Sequence, residues 1–429
     1  MGKMAPELEW LNARFFQAVV GRDSVIVRDH DDAGNPISVE YMTRKAFLEQ
    51  MAGTLFVETR KTKNGKEEVE FLDAATLWVR HPKRRRFWGV EFSPNGGDPQ
   101  KYNLWKGFSV KPQAGEWGAF RNHVHEIICN GDTELSDFAF GWLARAVQLP
   151  QVQAETALVL RGGKGTGKGT FANIFGSLFG QHYLAVSNKA HLIGRFNSHL
   201  RDKVLMFVDE GFWAGDVQNE GTLKQLITEP TIPIEAKFQD VTNAPNRLHV
   251  IMASNERWVV PASGMERRYF VLDLADHQAQ NTEYFGKIRH EMANGGLAAM
   301  LHDLLQYDLS NFDPHHPPMT EGLREQMLHS LKGFDAWWYG RLSEQAIIPG
   351  EPSWRLRDIN LVYEAYVKQE RRPLSREQLL LAIQDVCPEA EIVENKMGGR
   401  TIRLLSLPPV AACRDMWGRK HLGIGGWNG

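Results

Sequence analysis

The run Thr156-Ala157-Leu158-Val159-Leu160-Arg161 passes without a break into Gly162-Gly163-Lys164-Gly165-Thr166-Gly167-Lys168-Gly169-Thr170. A short, continuous apolar run of this kind predicts a strand buried on both faces. A glycine loop directly after it lets backbone N–H groups converge on phosphates with no side chain in the way. Phe171, Ile174, Phe175, Leu178 and Phe179 then recur at helical spacing, so the loop opens an amphipathic helix. The positive end of that helix faces the same phosphates. Strand, glycine loop, lysine and helix in this order predict a P-loop nucleotide site. All nine residues from Gly162 to Thr170 are candidate ATP ligands, with Lys168 on the β- and γ-phosphates. Gly169 occupies the place after the lysine, so the hydroxyl for Mg2+ arrives one residue late, at Thr170.

Three further elements follow downstream. Val204-Leu205-Met206-Phe207-Val208 ends in Asp209-Glu210, a buried strand delivering two carboxylates at its carboxyl end. Asp209 would bind Mg2+ or its water shell, and Glu210 would orient and deprotonate the attacking water. Leu248 to Ala253 is another apolar run, tipped by Ser254-Asn255, and Asn255 is placed to touch the γ-phosphate or the lytic water. Glu266-Arg267-Arg268 enters the strand Tyr269 to Leu274. One arginine of that pair is the candidate finger for a neighbouring subunit's phosphate, the other reading being an ion pair with Glu266.

Loop, Asp-Glu strand, Asn strand and Arg pair lie in this order within about 110 residues. The chain therefore resembles the superfamily 3 helicases of the AAA+ class. More closely it is similar to the helicase portion of phage and plasmid primase-helicases, including phage primase-polymerases. The words that carry the resemblance are Gly165 to Phe171, Phe207-Val208-Asp209-Glu210, Leu223-Lys224-Gln225-Leu226-Ile227-Thr228, Ala253-Ser254-Asn255 and Glu266 to Phe270. Asn103 to Phe108 and Trp142-Leu143-Ala144 add to it, which extends the coverage to roughly residues 100 to 310. The resemblance implies a ring, usually a hexamer, with ATP at subunit interfaces and DNA through the middle. It also implies a loop that carries a basic residue into the channel, here Ile232 to Asp240, which makes Lys237 the first candidate for DNA contact and Lys224 the second. Such contacts would be to phosphates and therefore salt-sensitive. The implied activity is ATP-dependent translocation on single-stranded DNA and unwinding of forked duplex in phage or mobile-element replication. No acidic pair with a histidine suggests a primase site in residues 1 to 150, so priming would fall to a separate primase or polymerase.

The rest of the chain sets limits. At 429 residues, two or three domains are expected. Residues 1 to 100 read as a mixed α+β region, with a hairpin from Phe56 to Phe71 around Asn64-Gly65. Residues 101 to 150 read as a helical lead-in, 151 to 310 as the ATPase domain and 319 to 417 as a small winged-helix-like domain, with a loose tail from 418 to 429. Asp313 to Pro318 predicts a linker, because its prolines cannot continue a helix. Lys83-Arg84-Arg85-Arg86 suits either a phosphate grip or a solvated strand end. His315 and His316 have no further metal ligands nearby in the sequence. A net charge of -2 confines any DNA contact to local basic patches. No apolar run approaches the roughly 18 residues of a membrane span, and the three cysteines are far apart, so a cytoplasmic protein is expected. Three rival readings remain. A nucleoside monophosphate kinase shares the Gly-Thr-Gly-Lys-Gly-Thr loop, a loading, packaging or protein-remodelling ATPase would share the whole site without unwinding, and an inert scaffold would bind nucleotide without turnover.

Overall fold

The computed structural model describes residues 6–20, 23–61, 67–187, 197–210, 217–235, 241–264, 266–351, 353–397 and 400–422. Its centre is a five-stranded, all-parallel sheet. The strands in chain order are β1 (Ala157–Arg161), β2 (Tyr183–Val186), β3 (Leu205–Asp209), β4 (His249–Ser254) and β5 (Tyr269–Asp273), and they lie side by side as β5-β1-β4-β3-β2. β1, which carries the glycine loop, is thus flanked by β4 and β5, and the acid-tipped β3 lies beyond β4. Side chains of a strand alternate between its two faces. The alternation divides these runs between two separate cores. Val159, Met206, Val208, Val250, Met252 and Val271 enter one core with Leu226 and Leu323, while Leu158, Leu160, Phe207, Ile251, Phe270 and Leu272 enter the other with Trp142, Phe171 and Leu301. Burial on both faces explains why the strands read as continuous apolar runs.

Six helices surround this sheet and position the site: α1 (Thr133–Gln148), α2 (Lys168–Ser177), α3 (Val217–Thr228), α4 (Thr282–Glu291), α5 (Leu297–Gln306) and α6 (Glu321–His329). Asp132 caps α1 by accepting from the Leu135 N–H, and Trp142 within α1 donates its indole N–H to the Thr156 carbonyl just before β1. The lead-in helix is therefore hydrogen-bonded directly to the base of the loop-bearing strand.

The N-terminal region holds an antiparallel sheet of Phe15–Val20, Asp23–His30 and Pro36–Met42, and a hairpin of Leu55–Lys61 with Glu67–Asp73. The Asn64-Gly65 turn lies outside the described residues. Much of the basic run at 83 to 86 is occupied within the fold. Arg85 grips Asp29 with two bonds of 3.0 and 2.7 Å, Tyr102 donates to the same carboxylate at 2.9 Å, and Arg84 donates to Gln17. Arg86 stands outward, stacked 3.9 Å from the exposed Trp88 ring. Burial pushes the Asp29 carboxyl up, but Arg85, His30 and Tyr102 outweigh it and hold it below its ordinary value. The stability from this pair is therefore present above a pH of about 3.9 and is lost as the pH falls toward the lower folded value. Arg85→Met should cost about 3–5 kcal/mol in urea unfolding at neutral pH, because it strands a buried charge. The variant should also lose the parent's extra acid sensitivity.

Two sequence expectations change in the C-terminal part. The linker predicted at 313 to 318 is anchored: Thr156 donates to the Pro314 carbonyl, His315 meets Glu155 at 2.8 Å, and the Phe312 ring packs on Phe138 across Gly141. The prolines do stop a helix there, but the chain they free is bonded to the sheet. The loose tail predicted from 418 also starts too early. Helix Val410–Leu422 runs through Gly418, because Trp417 is buried and stacks on His421 at 4.7 Å. Between them lie helix Gly333–Glu344, strand Leu356–Asp358, helices Ile359–Gln369 and Arg376–Val386, and the strands Glu391–Met397 and Arg400–Ser406, the last of which pairs antiparallel with both other strands. Ser375 and Gln378 form the capping box that the sequence predicts. No described helix is long and apolar enough to cross a membrane.

Candidate functional site

At the carboxyl edge of the parallel sheet the loop between β1 and α2 folds over a cleft of about 440 Å³. Gly167 sits at φ +99° and Gly165 at φ +79°, in the left-handed region that favours glycine. Close approach excludes side chains as well, since a Cβ at Gly167 would meet the His123 ring at 2.5 Å and one at Gly165 would meet Gln280 at 2.7 Å. Burial pushes the His123 imidazole down to about 4, so a neutral ring underlies the loop at neutral pH. Thr166 closes the loop on itself by donating to the Gly163 carbonyl at 2.9 Å. α2 begins at Lys168 with no side chain capping it, which leaves its first N–H groups facing the cleft.

Lys168 is buried, and its Nζ donates to the carbonyls of Gly162 and Gly163 at 2.7 and 2.8 Å and to Asn255 Oδ1 at 2.9 Å. The other end of the Asn255 amide donates to Glu210 Oε1. One amide thus links the loop lysine to the acid at the end of β3, and its two ends face the partners they suit. Glu210 holds a left-handed backbone, φ +53°, and its N–H donates to the Ala253 carbonyl of β4. A non-glycine residue held at positive φ stores strain of the kind found at functional sites. Burial and the neighbouring Glu210 push the Asp209 carboxyl up, while Lys168 pulls it down. Burial likewise pushes the Lys168 amine down, and Asp209 and Glu210 oppose it.

The cleft brings together Lys164, Gly165, Thr166, Gly167, Lys168, Gly169 and Thr170 with Asp209, Glu210 and Asn255. Gly162 and Gly163 border a neighbouring cavity and reach this one through their carbonyls. Gly169 has nothing closer than 3.8 Å to the place of a Cβ, so space does not demand glycine there. Arg267 and Arg268 stand elsewhere. They precede β5 at the amino edge of the sheet, roughly 16 Å from the cleft by the rise of five strand residues. The structure separates the pair: Glu266 is buried and holds the Arg268 guanidinium on two bonds, whereas Arg267 points to solvent. Lys224 is half-buried on α3 and borders a shallow surface cavity with Glu229 and Asn243. Lys237 lies outside the described residues, between the paired strands Thr231–Ile234 and Thr242–Pro245.

Four residues of the cleft wall escaped the sequence reading: Gln280, Thr282, Phe285 and Arg289, on α4 and the turn before it. Arg289 is exposed toward the cleft from a helix that begins nine residues after β5. No spacing rule joins it to the glycine loop. Among the described residues no group of three or more His, Cys, Asp or Glu side chains stands together, and His315 and His316 meet Glu155 and Asp313 at 2.8 and 2.6 Å.

Fold and cleft together define a mixed α/β protein with a parallel sheet and a glycine loop and helix N-terminus at its carboxyl edge. A family of unknown function (DUF5906) matches residues 160–268, from the end of β1 through the arginine pair. The solved structure titled as the apo structure of the NrS-1 C-terminal region (305–718) is 17% identical, covers 92% of this chain and 96% of its own, and superposes with a TM-score of 0.63. A second structure of that region, an A form, is 18% identical, with coverage of 85% and 98% and a TM-score of 0.56. At these identities the likeness speaks for the fold. No curated protein sequence matches the chain.

Proposed function

We propose that this chain is an ATP-hydrolysing helicase of the P-loop, AAA+ type, which moves on single-stranded DNA and unwinds forked duplex in phage or mobile-element replication. The observation that carries the reading is the bonded series Lys168–Asn255–Glu210 across the mouths of β1, β4 and β3. Bound ATP would lie along the loop N–H groups and Lys168. Asp209 and Thr170 are hard oxygen donors in the cleft and fit Mg2+, because Asp209 lies beside a second carboxylate, Glu210, and the two together raise the demand for a cation there. When bound, Mg2+ would neutralise charge on the transferring phosphoryl group. Glu210 would take the proton of the attacking water, and Asn255 holds its carboxylate in place.

Arg267 supports a shared site. It is the exposed member of its pair and stands too far from its own cleft to serve it, whereas the ring of subunits implied by the resemblance, a hexamer, would bring it to a neighbour's nucleotide. Arg268 instead braces the segment through Glu266. DNA contact would fall to Lys237, with Lys224 less suited by its half-buried place.

The test is ATP turnover and strand displacement on forked DNA, measured together. Turnover stimulated by single-stranded DNA, with unwinding, is expected. Turnover without unwinding would favour a loading or packaging ATPase, and stoichiometric phosphoryl transfer from ATP to AMP would establish a kinase. Arg289 offers a second check, since it faces the same cleft in its own chain. Arg289→Ala should weaken ATP binding by about tenfold or more, the worth of one charge-assisted hydrogen bond, in a fluorescent-nucleotide titration. An unchanged Kd would remove Arg289 from the site.

A further inference from the structure

Residues 255 to 268 connect two parts of the proposed cycle. Asn255, at their start, touches Lys168 and reaches Glu210, and Arg267, near their end, is the arginine offered to the next subunit. The segment runs from the carboxyl end of β4 to the amino end of β5 and so crosses the height of the sheet. None of its described residues lies in a strand or helix, so regular backbone pairing does not fix its path.

α6 fixes it instead. Gln326 is wholly buried, and its Oε1 accepts from the N–H groups of Val259 at 2.6 Å and Val260 at 3.2 Å, while its Nε2 donates to the Arg257 carbonyl at 2.7 Å. One turn on, Ser330 Oγ accepts from the Ala262 N–H and the Trp258 indole, both at 3.1 Å, and donates to the Gln326 carbonyl. Leu323 and Met327 already bury this face of the helix. The amide is therefore not needed for apolar packing, and its three bonds set the register of the segment against α6. The same helix reaches the loop strand, because Glu325 pairs with Arg161, the last residue of β1. A helix held at one end of β1 and bonded along 257 to 262 ties the nucleotide cleft to the stretch that presents Arg267.

We propose that Gln326 is a positioning residue that holds residues 257 to 260 so that Arg267 stands at the reach of a neighbouring subunit's nucleotide. The proposal rests on the reading that Arg267 acts between subunits. It is tested by a double-mutant cycle in the full chain, assembled with ATP and single-stranded DNA. Gln326→Met keeps the side-chain volume and removes all three bonds. It should lower turnover by roughly 10²-fold, the size of effect that a small misplacement of a catalytic group produces, with the nucleotide Kd unchanged. Added to Arg267→Ala, it should cost almost nothing further, since the arginine it positions is already gone. Losses that multiply, or a Kd that rises with the fall in turnover, would overturn the positioning role. Full turnover in Arg267→Ala alone would instead overturn the shared-site reading, and the coupling with it. If Gln326→Met does not fold, Ser330→Ala takes its place in the same cycle, with a smaller loss and the same absence of additivity expected.

Discussion

Lys168→Ala should abolish measurable ATP binding and, with it, both turnover and unwinding. The lysine is the buried cation at the floor of the cleft, held on two loop carbonyls and the Asn255 amide. Its removal takes away the charge that faces the phosphates and strips the Gly162 carbonyl of its lysine donor, while the Gly163 carbonyl keeps the Thr166 hydroxyl. Charge-assisted bonds from the ammonium to two phosphates, each worth about 1.5–3 kcal/mol, are lost with the lysine. Together these imply a rise in Kd on the order of 10³-fold, read by titration with a fluorescent ATP analogue. Unwinding that persists in this variant would sink the assignment of the loop as the site of energy input. The chain should still fold, at a cost of about 1–3 kcal/mol for the stripped carbonyl, because α2 keeps its apolar face through Phe171 and Phe175.

Glu210→Gln should separate binding from chemistry. The amide keeps the volume, and its Oε1 can still accept from the Asn255 amide while Asn255 Oδ1 still accepts from Lys168, so the strained backbone at Glu210 and the loop beside it stay in place. What it loses is the ability to accept a proton from water. General-base catalysis is worth about 10²–10⁴-fold, so turnover should fall by that factor while the ATP Kd stays near the parent value or tightens, as one like charge leaves the cleft. Rapid-quench measurement of a single turnover, beside equilibrium binding, reads both quantities. Unchanged turnover would make the site a nucleotide-binding scaffold and Glu210 a turn residue.

The two variants are complementary. Loss of binding in the lysine variant alone would fit any nucleotide-binding loop, including that of a kinase. Retained binding with lost hydrolysis in the glutamate variant requires a base beside the γ-phosphate, which a phosphoryl transfer to a second nucleotide does not need.

The local parts of the site are legible in the chain alone. Gly162 to Thr170 follow β1 directly, and Asp209, Glu210 and Asn255 each stand at the end of an apolar run, so strand, tip and chemistry are contiguous in the chain. Because the strands are parallel and buried on both faces, residues that follow such runs collect at one edge of the sheet, whatever the strand order. That rule alone explains why elements nearly 90 residues apart share one cleft. The capping box at Ser375 is legible for the same reason, since its bonds span only three residues.

What depended on folding is long-range. Arg267 and Arg268 are adjacent and chemically alike, and only the burial of Glu266 beneath Arg268 tells them apart. The basic run at 83 to 86 is resolved by Asp29, more than fifty residues earlier, which takes Arg85 inward. Arg289 reaches the cleft because α4 turns back beside the glycine loop, and Gln326 finds its segment because α6 lies across it, both placements set by packing and invisible to spacing. In the loop itself the chain order dictated glycines and lysine, through the backbone freedom and charge that phosphate demands. The fold decided which carbonyls and which amide hold that lysine, because hydrogen-bond partners for a buried cation come from whatever the packed strands bring within reach.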